Sequence, residues 1–358
     1  MTGPFDGRRL GAALIFAARK LTNAGTVARL ALPALAVVAA SVSAPADDLT
    51  QLKAGYKRPL EVPFPASNPY TLEKAALGKA LFFDPRLSGE QNINCASCHN
   101  PSFGWEVPVE TAVGAQNVHL GRQAPTVLDA AWRQPFFWDG RAATAEDQAK
   151  GPIQAAMEMN LPLPEAVARL SAIPAYDAWF NKAFPDKGVT DDTIVAAIAT
   201  FERTVVASYA PFDKWIDGDE SAISDGAKRG FMLFTGKAMC SQCHSGWEFT
   251  DNKFHDIGTT TTDIGRAKIE PDNPLAMYAF KTPSLRDTAQ RAPYMHSGKF
   301  ATLKDVIDHY MTGGIDRPSR SPQMTAIDLD DGEVDDLIAF LGTLTGEKQV
   351  VTLPVLPN

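Results

Sequence analysis

Cys95-Ala96-Ser97-Cys98-His99 and Cys240-Ser241-Gln242-Cys243-His244 decide how this chain is read. Both have the form C-x-x-C-H. The spacing lets two thiols bond covalently to a haem edge while the adjacent histidine reaches the iron, the pattern of c-type haem attachment. The two copies use every cysteine of the 358 residues. Four cysteines in so long a chain are no disulfide framework, which belongs to small cysteine-dense domains. Redox dithiols of the thioredoxin type lie near a βαβ pattern, and none is visible. A four-thiolate zinc site stays open on paper but leaves both histidines without a role. Two covalent haems employ all six residues.

Outward from each motif the chain follows one plan: a helix, then C-x-x-C-H, then a long loop. Leu72, Ala76, Leu77, Ala80 and Leu81 carry helical spacing up to Phe83, ahead of the first motif. Residues 100–127 are loop-like. Further helical patterns cover Ala145–Ala149, Leu163–Leu170, Ala175–Ala183 and Asp191–Val206. Thr190 ahead of Asp191-Asp192 reads as a cap with an acidic first turn. The second block predicts helices over Ser221–Phe234, Thr302–Met311 and Asp331–Leu344. Residues 47–70, rich in Pro and polar residues, read as an extended arm. No strand ladder is evident. The fold class is therefore mainly α, in two similar domains with one haem each, divided near Tyr209–Asp219: residues 47–212 and 213–358.

The composition is globular, with 45% hydrophobic and 21% charged residues, and the formal charge is −8. An acidic chain without a basic tract is a poor nucleic-acid binder. Residues 1–46 hold five basic residues, an apolar run from Leu30 to Ala44, and the small-x-small site Ala44-Pro45-Ala46. This reads as a secretory signal peptide, which places the protein in the periplasm. The apolar run is shorter than the ~20 residues that span a bilayer, so an uncleaved anchor is the lesser reading. The leader's length also leaves a later translation start open. Its removal takes the formal charge from −8 to −12. No membrane span is expected in the mature chain.

Several longer motifs accompany the haem signals. They are Leu77-Gly78-Lys79-Ala80-Leu81-Phe82-Phe83-Asp84-Pro85-Arg86-Leu87-Ser88, Ala124-Pro125-Thr126-Val127, and Phe137-Trp138-Asp139-Gly140-Arg141-Ala142. Gln148-Ala149-Lys150-Gly151-Pro152-Ile153, Lys281-Thr282-Pro283-Ser284-Leu285-Arg286 and Ala292-Pro293-Tyr294-Met295-His296-Ser297-Gly298 complete the set. In this order they resemble the bacterial di-haem cytochrome c peroxidase and MauG family, over nearly all the mature chain. The resemblance implies two cytochrome-c-like α domains, one haem in each, and a calcium ion between them.

Two departures from the peroxidase type stand out. Where such members carry a distal histidine on the N-terminal haem, this chain has Ala115, so that haem is expected to be open at rest. His119 is the histidine nearest in sequence that could swing in. Where they carry a methionine ligand on the C-terminal haem, fourteen positions after His296, this chain has Tyr310, as MauG-like members do. Helical spacing agrees. Leu303, Val306, Ile307 and Tyr310 share one face, and His309 falls about 100° away. Met311 is the rival ligand, and an ordinary core tyrosine is the plainer role for Tyr310.

The resemblance also implies roles for other positions. Glu158 matches the distal glutamate and Gln148 the distal glutamine, an acid–base pair for peroxide cleavage. On a Met-flanked apolar segment, Glu158 should have a raised pKa. Trp138 matches the tryptophan between the haems, a hole relay or simply a core aromatic. Gln123, Arg291 and Pro293 match the calcium ligands, which in the family are an Asn side chain and two backbone carbonyls; the carbonyls survive substitution, and Gln stands in place of Asn, one methylene longer.

The expected activity is oxidation of a partner protein at tryptophan, driven by hydrogen peroxide through long-range electron transfer. Two further readings stand beside it. One is a conventional peroxidase that draws electrons from a small redox protein. The other is a non-enzymatic two-haem carrier.

Overall fold

The computed structural model describes residues 46–358. The expected leader falls on residues 1–46, of which 1–45 lie outside the described residues. Eleven α-helices are found among the described residues, with one short antiparallel strand pair. The pair joins β1 (Phe254–His255) to β2 (Phe280–Lys281), with Phe254 opposite Lys281.

The first unit is built on α2 (Leu72–Phe82), α4 (Ala145–Gln154), α5 (Leu163–Ser171), α6 (Pro174–Ala183) and α7 (Asp191–Arg203). Between α2 and α4 lies the four-residue helix α3 (Cys95–Cys98). The hydroxyl of Thr71 caps α2 by accepting from the Lys74 N–H, and Thr190 caps α7 in a reciprocal capping box with Thr193. Helix α2 buries Leu77, Ala80, Leu81 and Phe82, and α7 buries Ile194, Ile198 and Phe201. Their meeting is close: a Cβ on Gly78 would stand 1.8 Å from the Ala197 carbonyl oxygen. Only glycine permits that crossing.

The second unit repeats the device with α8 (Pro211–Ile216), α9 (Asp225–Thr235), α10 (Leu303–Thr312) and α11 (Asp331–Gly342). A Cβ on Gly230 of α9 would stand 1.9 Å from the Asp336 carbonyl oxygen of α11. A second core gathers around this crossing, with Phe212, Phe231, Phe234, Phe249 and Phe340 in mutual edge or tilted contact. Each haem motif follows its glycine-bearing helix, so the two crossings set where the cysteines stand.

One expectation needs correcting. The segment read as an extended arm begins with a helix, α1 (Ala46–Ala54). Leu49 and Leu52 of α1 pack on the second core, and Tyr56, just beyond, is buried in it. The sequence around them is short and polar, so tertiary burial rather than local preference orders this helix. The helix starts and ends elsewhere differ from the expected ones by a few residues, most at α4, which runs on past Ala149 to Gln154, and at α9, which begins after the Ser224 cap.

Candidate functional site

Each haem motif lines its own cavity. The first is bounded by Cys95, Cys98, His99, Gln148, Ala149, Pro152, Ile153, Glu158, Met159, Ile198 and Glu202. Residues expected to act together therefore meet here: both thiols, the histidine, Gln148 from α4 and Glu158 from the turn after it. The second cavity takes in Cys240, Cys243, His244, Trp138, Gln123, Pro283, His296 and Tyr310. The cysteine pairs are thus in separate places, which removes the four-thiolate zinc alternative.

The chemistry of these side chains fits c-type haem. All four cysteines are free. Burial pushes the thiol of Cys98 up to about 11 and that of Cys240 up to about 12, and raises Cys95 as well. Redox-active dithiols show the opposite, a lowered thiol pKa. Burial drives His99 down to about 4, so its imidazole is neutral, as an iron ligand must be. Its Nδ1 is buried without a well-formed hydrogen bond. Burial lowers His244 as well. Its Nδ1 pairs with the Phe249 carbonyl oxygen at 2.8 Å. With the proton on Nδ1, that bond orients the ring and leaves Nε2 for the metal.

In the first cavity, burial raises the Glu158 carboxyl, and the more distant Arg141 opposes this. The Glu158 backbone carbonyl accepts the Ala115 N–H at 2.8 Å, so buried Ala115 is tied backbone to backbone to the segment that carries the acid. His119, by contrast, is exposed and bridged to Val113. Glu202 of α7 also lines this cavity, and sequence reading missed it. It is 8% exposed, and its carboxyl has no hydrogen-bond partner among the described residues. It follows Ile198 by one turn of α7, near the helix end, where a glutamate ordinarily reads as solvated.

In the second cavity the whole predicted stripe of α10 faces inward: Leu303, Val306, Ile307 and Tyr310. Burial raises the Tyr310 phenol. The His309 Nε2 pairs with the Ile257 carbonyl at 2.8 Å instead. Met311 packs against the second core and does not line the cavity.

Trp138 is placed at one of the two cavities. It lines the second, and its indole N–H donates to the Gln123 carbonyl at 2.8 Å. The ring of neighbouring Phe137 rests on Gly151 of α4, the helix that carries Gln148 into the first cavity.

The three positions that the resemblance gives to calcium lie close together. The Gln123 side-chain amide donates to the Pro293 carbonyl, and the Arg291 guanidinium is bound to Glu106 at 2.6 Å. Calcium wants six to eight oxygens.

Among the described residues, no helix is long and apolar enough to cross a membrane. Comparison with known proteins gives a consistent picture. The family described as "Di-haem cytochrome c peroxidase" matches residues 72–221, and "Cytochrome c" matches 227–345. The methylamine utilization protein MauG of Methylorubrum extorquens is 51% identical, over 89% of this chain and 91% of that protein. The MauG of Methylophilus methylotrophus is 47% identical, over 85% of this chain and 91% of that protein. The crystal structure of a MauG-like protein associated with microbial copper homeostasis superposes with a TM-score of 0.75 at 32% identity, covering 82% of this chain and 95% of that one. Two cytochrome-c-like domains, two c-type haems and a peroxidase-type oxidoreductase activity go with this kinship. The chain belongs to the di-haem cytochrome c peroxidase and MauG family.

Proposed function

We propose that the chain uses hydrogen peroxide to oxidise a partner protein, at tryptophan, by long-range electron transfer. The first domain, residues 47–212, receives peroxide. The second, residues 213–358, faces the partner. The protein works in the periplasm, after loss of residues 1–46.

The observation that carries it is Ala115 beside Glu158. Alanine has no ligand atom, and His119 is turned out to the surface. The first cavity therefore has room for peroxide next to a carboxyl that keeps its proton more readily than an exposed one. Cys95, Cys98 and His99 would hold a haem in the first cavity and Cys240, Cys243, His244 and Tyr310 one in the second, and each would supply a redox-active iron. Glu158 takes a proton from one peroxide oxygen and returns one to the other. Gln148 shares the cavity and would donate a hydrogen bond to the peroxide there. Trp138, fixed by its bond to Gln123, gives an aromatic step from one cavity to the other. Tyr310 contributes an oxygen donor, which favours the oxidised metal over the reduced one more than a thioether does.

Optical and EPR spectra of the diferric protein test the proposal, before and after one equivalent of peroxide without reductant. One high-spin and one low-spin haem, and a long-lived oxidised protein, are expected. A requirement for prior reduction would favour the conventional peroxidase. Two low-spin haems indifferent to peroxide would leave only the electron carrier. Tyr310→Phe should change the low-spin signal and Met311→Leu should not; the reverse would move the ligand to Met311.

A further inference from the structure

The second cavity has walls of two kinds. Phe234 and Ala238, which lead into the Cys240 motif, and Leu337 and Leu341 of α11 are apolar. Arg133 of the first unit and Lys281 of the second also line it. No arginine or lysine lines the first cavity.

Both cations lack a partner of opposite charge at hydrogen-bond distance. Arg133 is 9% exposed. Its Nη2 donates to the Thr126 carbonyl at 3.0 Å, while its buried Nε has no hydrogen-bond partner among the described residues. Glu248 stands 3.6 Å from that Nε, too far for a hydrogen bond. Burial pushes the Glu248 carboxyl up to about 8, so at neutral pH it keeps its proton and leaves the guanidinium uncompensated. Burial also raises Asp129, which accepts the Ala207 N–H instead. Lys281 is fixed by the first unit: its backbone N–H donates to the Trp138 carbonyl at 2.8 Å, and its Nζ to the Pro135 carbonyl at 2.6 Å. No carboxylate of the described residues pairs with its ammonium. Burial pulls Lys281 down to about 7, and nearby Arg133 adds to the fall.

Buried cations are costly unless paired. Two of them on one cavity wall call for an anion, and a c-type haem brings its own: the propionate carboxylates, on the porphyrin edge away from the thioether bonds. We propose that Arg133 and Lys281 pair with the propionates of the haem in the second cavity, so that this haem is held by both units at once. The planar guanidinium fork suits a carboxylate, and the ammonium serves as a point charge. The haem then completes the junction between the units as well as its own domain. The inference rests on a haem in the second cavity, and neither on the partner protein nor on Tyr310 as a ligand.

The test uses the di-haem holoprotein and a redox titration followed by haem absorbance. A propionate that loses its cation disfavours an added electron. Arg133→Met and Lys281→Met should therefore each move the titration curve to lower potential. Arg133→Lys and Lys281→Arg keep the charge and should stay close to the parent curve. A merely structural role would lower the melting temperature without this dependence on charge. An unchanged curve in either Met variant, or charge-keeping variants shifted as far as the Met ones, would overturn the proposal. If the Met variants fail to fold, a crystal structure of the parent holoprotein decides. Propionate oxygens within hydrogen-bond distance of Arg133 and Lys281 would support the pairing, and propionates turned away from both would refute it.

Discussion

At the scale of single residues, the informative positions are those where an expected ligand is missing or an unexpected acid is present. Ala115 and Tyr310 are legible from the sequence because their neighbours carry long motifs that fix the register. Glu202 is not, because a glutamate near the end of a helix reads as a solvated one. Yet it faces the first cavity, and burial pushes its carboxyl up to about 8, with Arg203 opposing and Glu146 adding to the rise. The folded protein therefore holds a proton that the unfolded chain releases above about pH 4.3. Stability from this group is greatest below that value and falls as the pH rises toward 8, after which the loss is complete. Glu202→Gln keeps the shape and removes the titration. Denaturation of the holoprotein from pH 5 to pH 9 should show the variant gaining on the parent as the pH rises, with the gap flat above pH 8. A gap independent of pH would mean that Glu202 is ionised throughout.

At the scale of elements, the helices are legible because their apolar spacing and caps agree with the burial they reach. Thr190, Thr302 and Asp330 each cap the helix that follows. Helix α1 is the exception. Its two apolar anchors, Leu49 and Leu52, take their meaning from a core formed almost wholly by residues beyond 211. The glycines are equally silent in sequence, since a glycine inside a helical pattern ordinarily weakens the case for a helix. Here Gly78 and Gly230 mark the points where α2 crosses α7 and α9 crosses α11. Helix preference alone makes Gly→Ala favourable by about 0.8–1.0 kcal/mol. Backbone contacts of 1.8 and 1.9 Å make it unfavourable. Overpacking of this kind costs about 1–3 kcal/mol, so sterics should win at both sites. Gly342, at the end of α11, has open space where a methyl would stand, with no atom within 4 Å, and supplies the control. Chemical denaturation should show Gly78→Ala and Gly230→Ala destabilised and Gly342→Ala neutral or stabilised. Equal effects at all three would mean that the crossings can spread at little cost.

At the scale of the whole molecule, the two units are held together by polar links as well as apolar contact, and these give the assembly a pH limit. Arg122 of the first unit reaches Asp263 of the second through Nε at 2.6 Å and Nη2 at 2.9 Å, while its Nη1 holds Asp139 at 2.8 Å. Arg266 returns the link by donating to the Asp139 carbonyl at 2.7 Å, and the Lys281 ammonium donates to the Pro135 carbonyl at 2.6 Å. Burial by itself would raise the Asp263 carboxyl. The bidentate Arg122 fork more than reverses this and holds it well below the usual carboxylate range. A depressed carboxylate contributes stability that is fully present above its unfolded value of about 3.9 and is lost as the pH falls toward its folded value. The window is therefore acid, below about pH 4, and neutral conditions lie on its plateau. Asp263→Asn keeps the size and removes the charge. Hydrogen bonds to charged groups contribute about 1.5–3 kcal/mol, and Arg122 keeps Asp139, so a loss in that range is expected at pH 7. The deficit should hold steady to pH 5 and shrink below pH 4, as protonation takes the same link from the parent protein. Denaturation followed by haem absorbance at pH 7, 5 and 3 measures it. A deficit of unchanged size at pH 3 would show that Asp263 acts by shape rather than by charge, and that the limit on the paired units lies elsewhere.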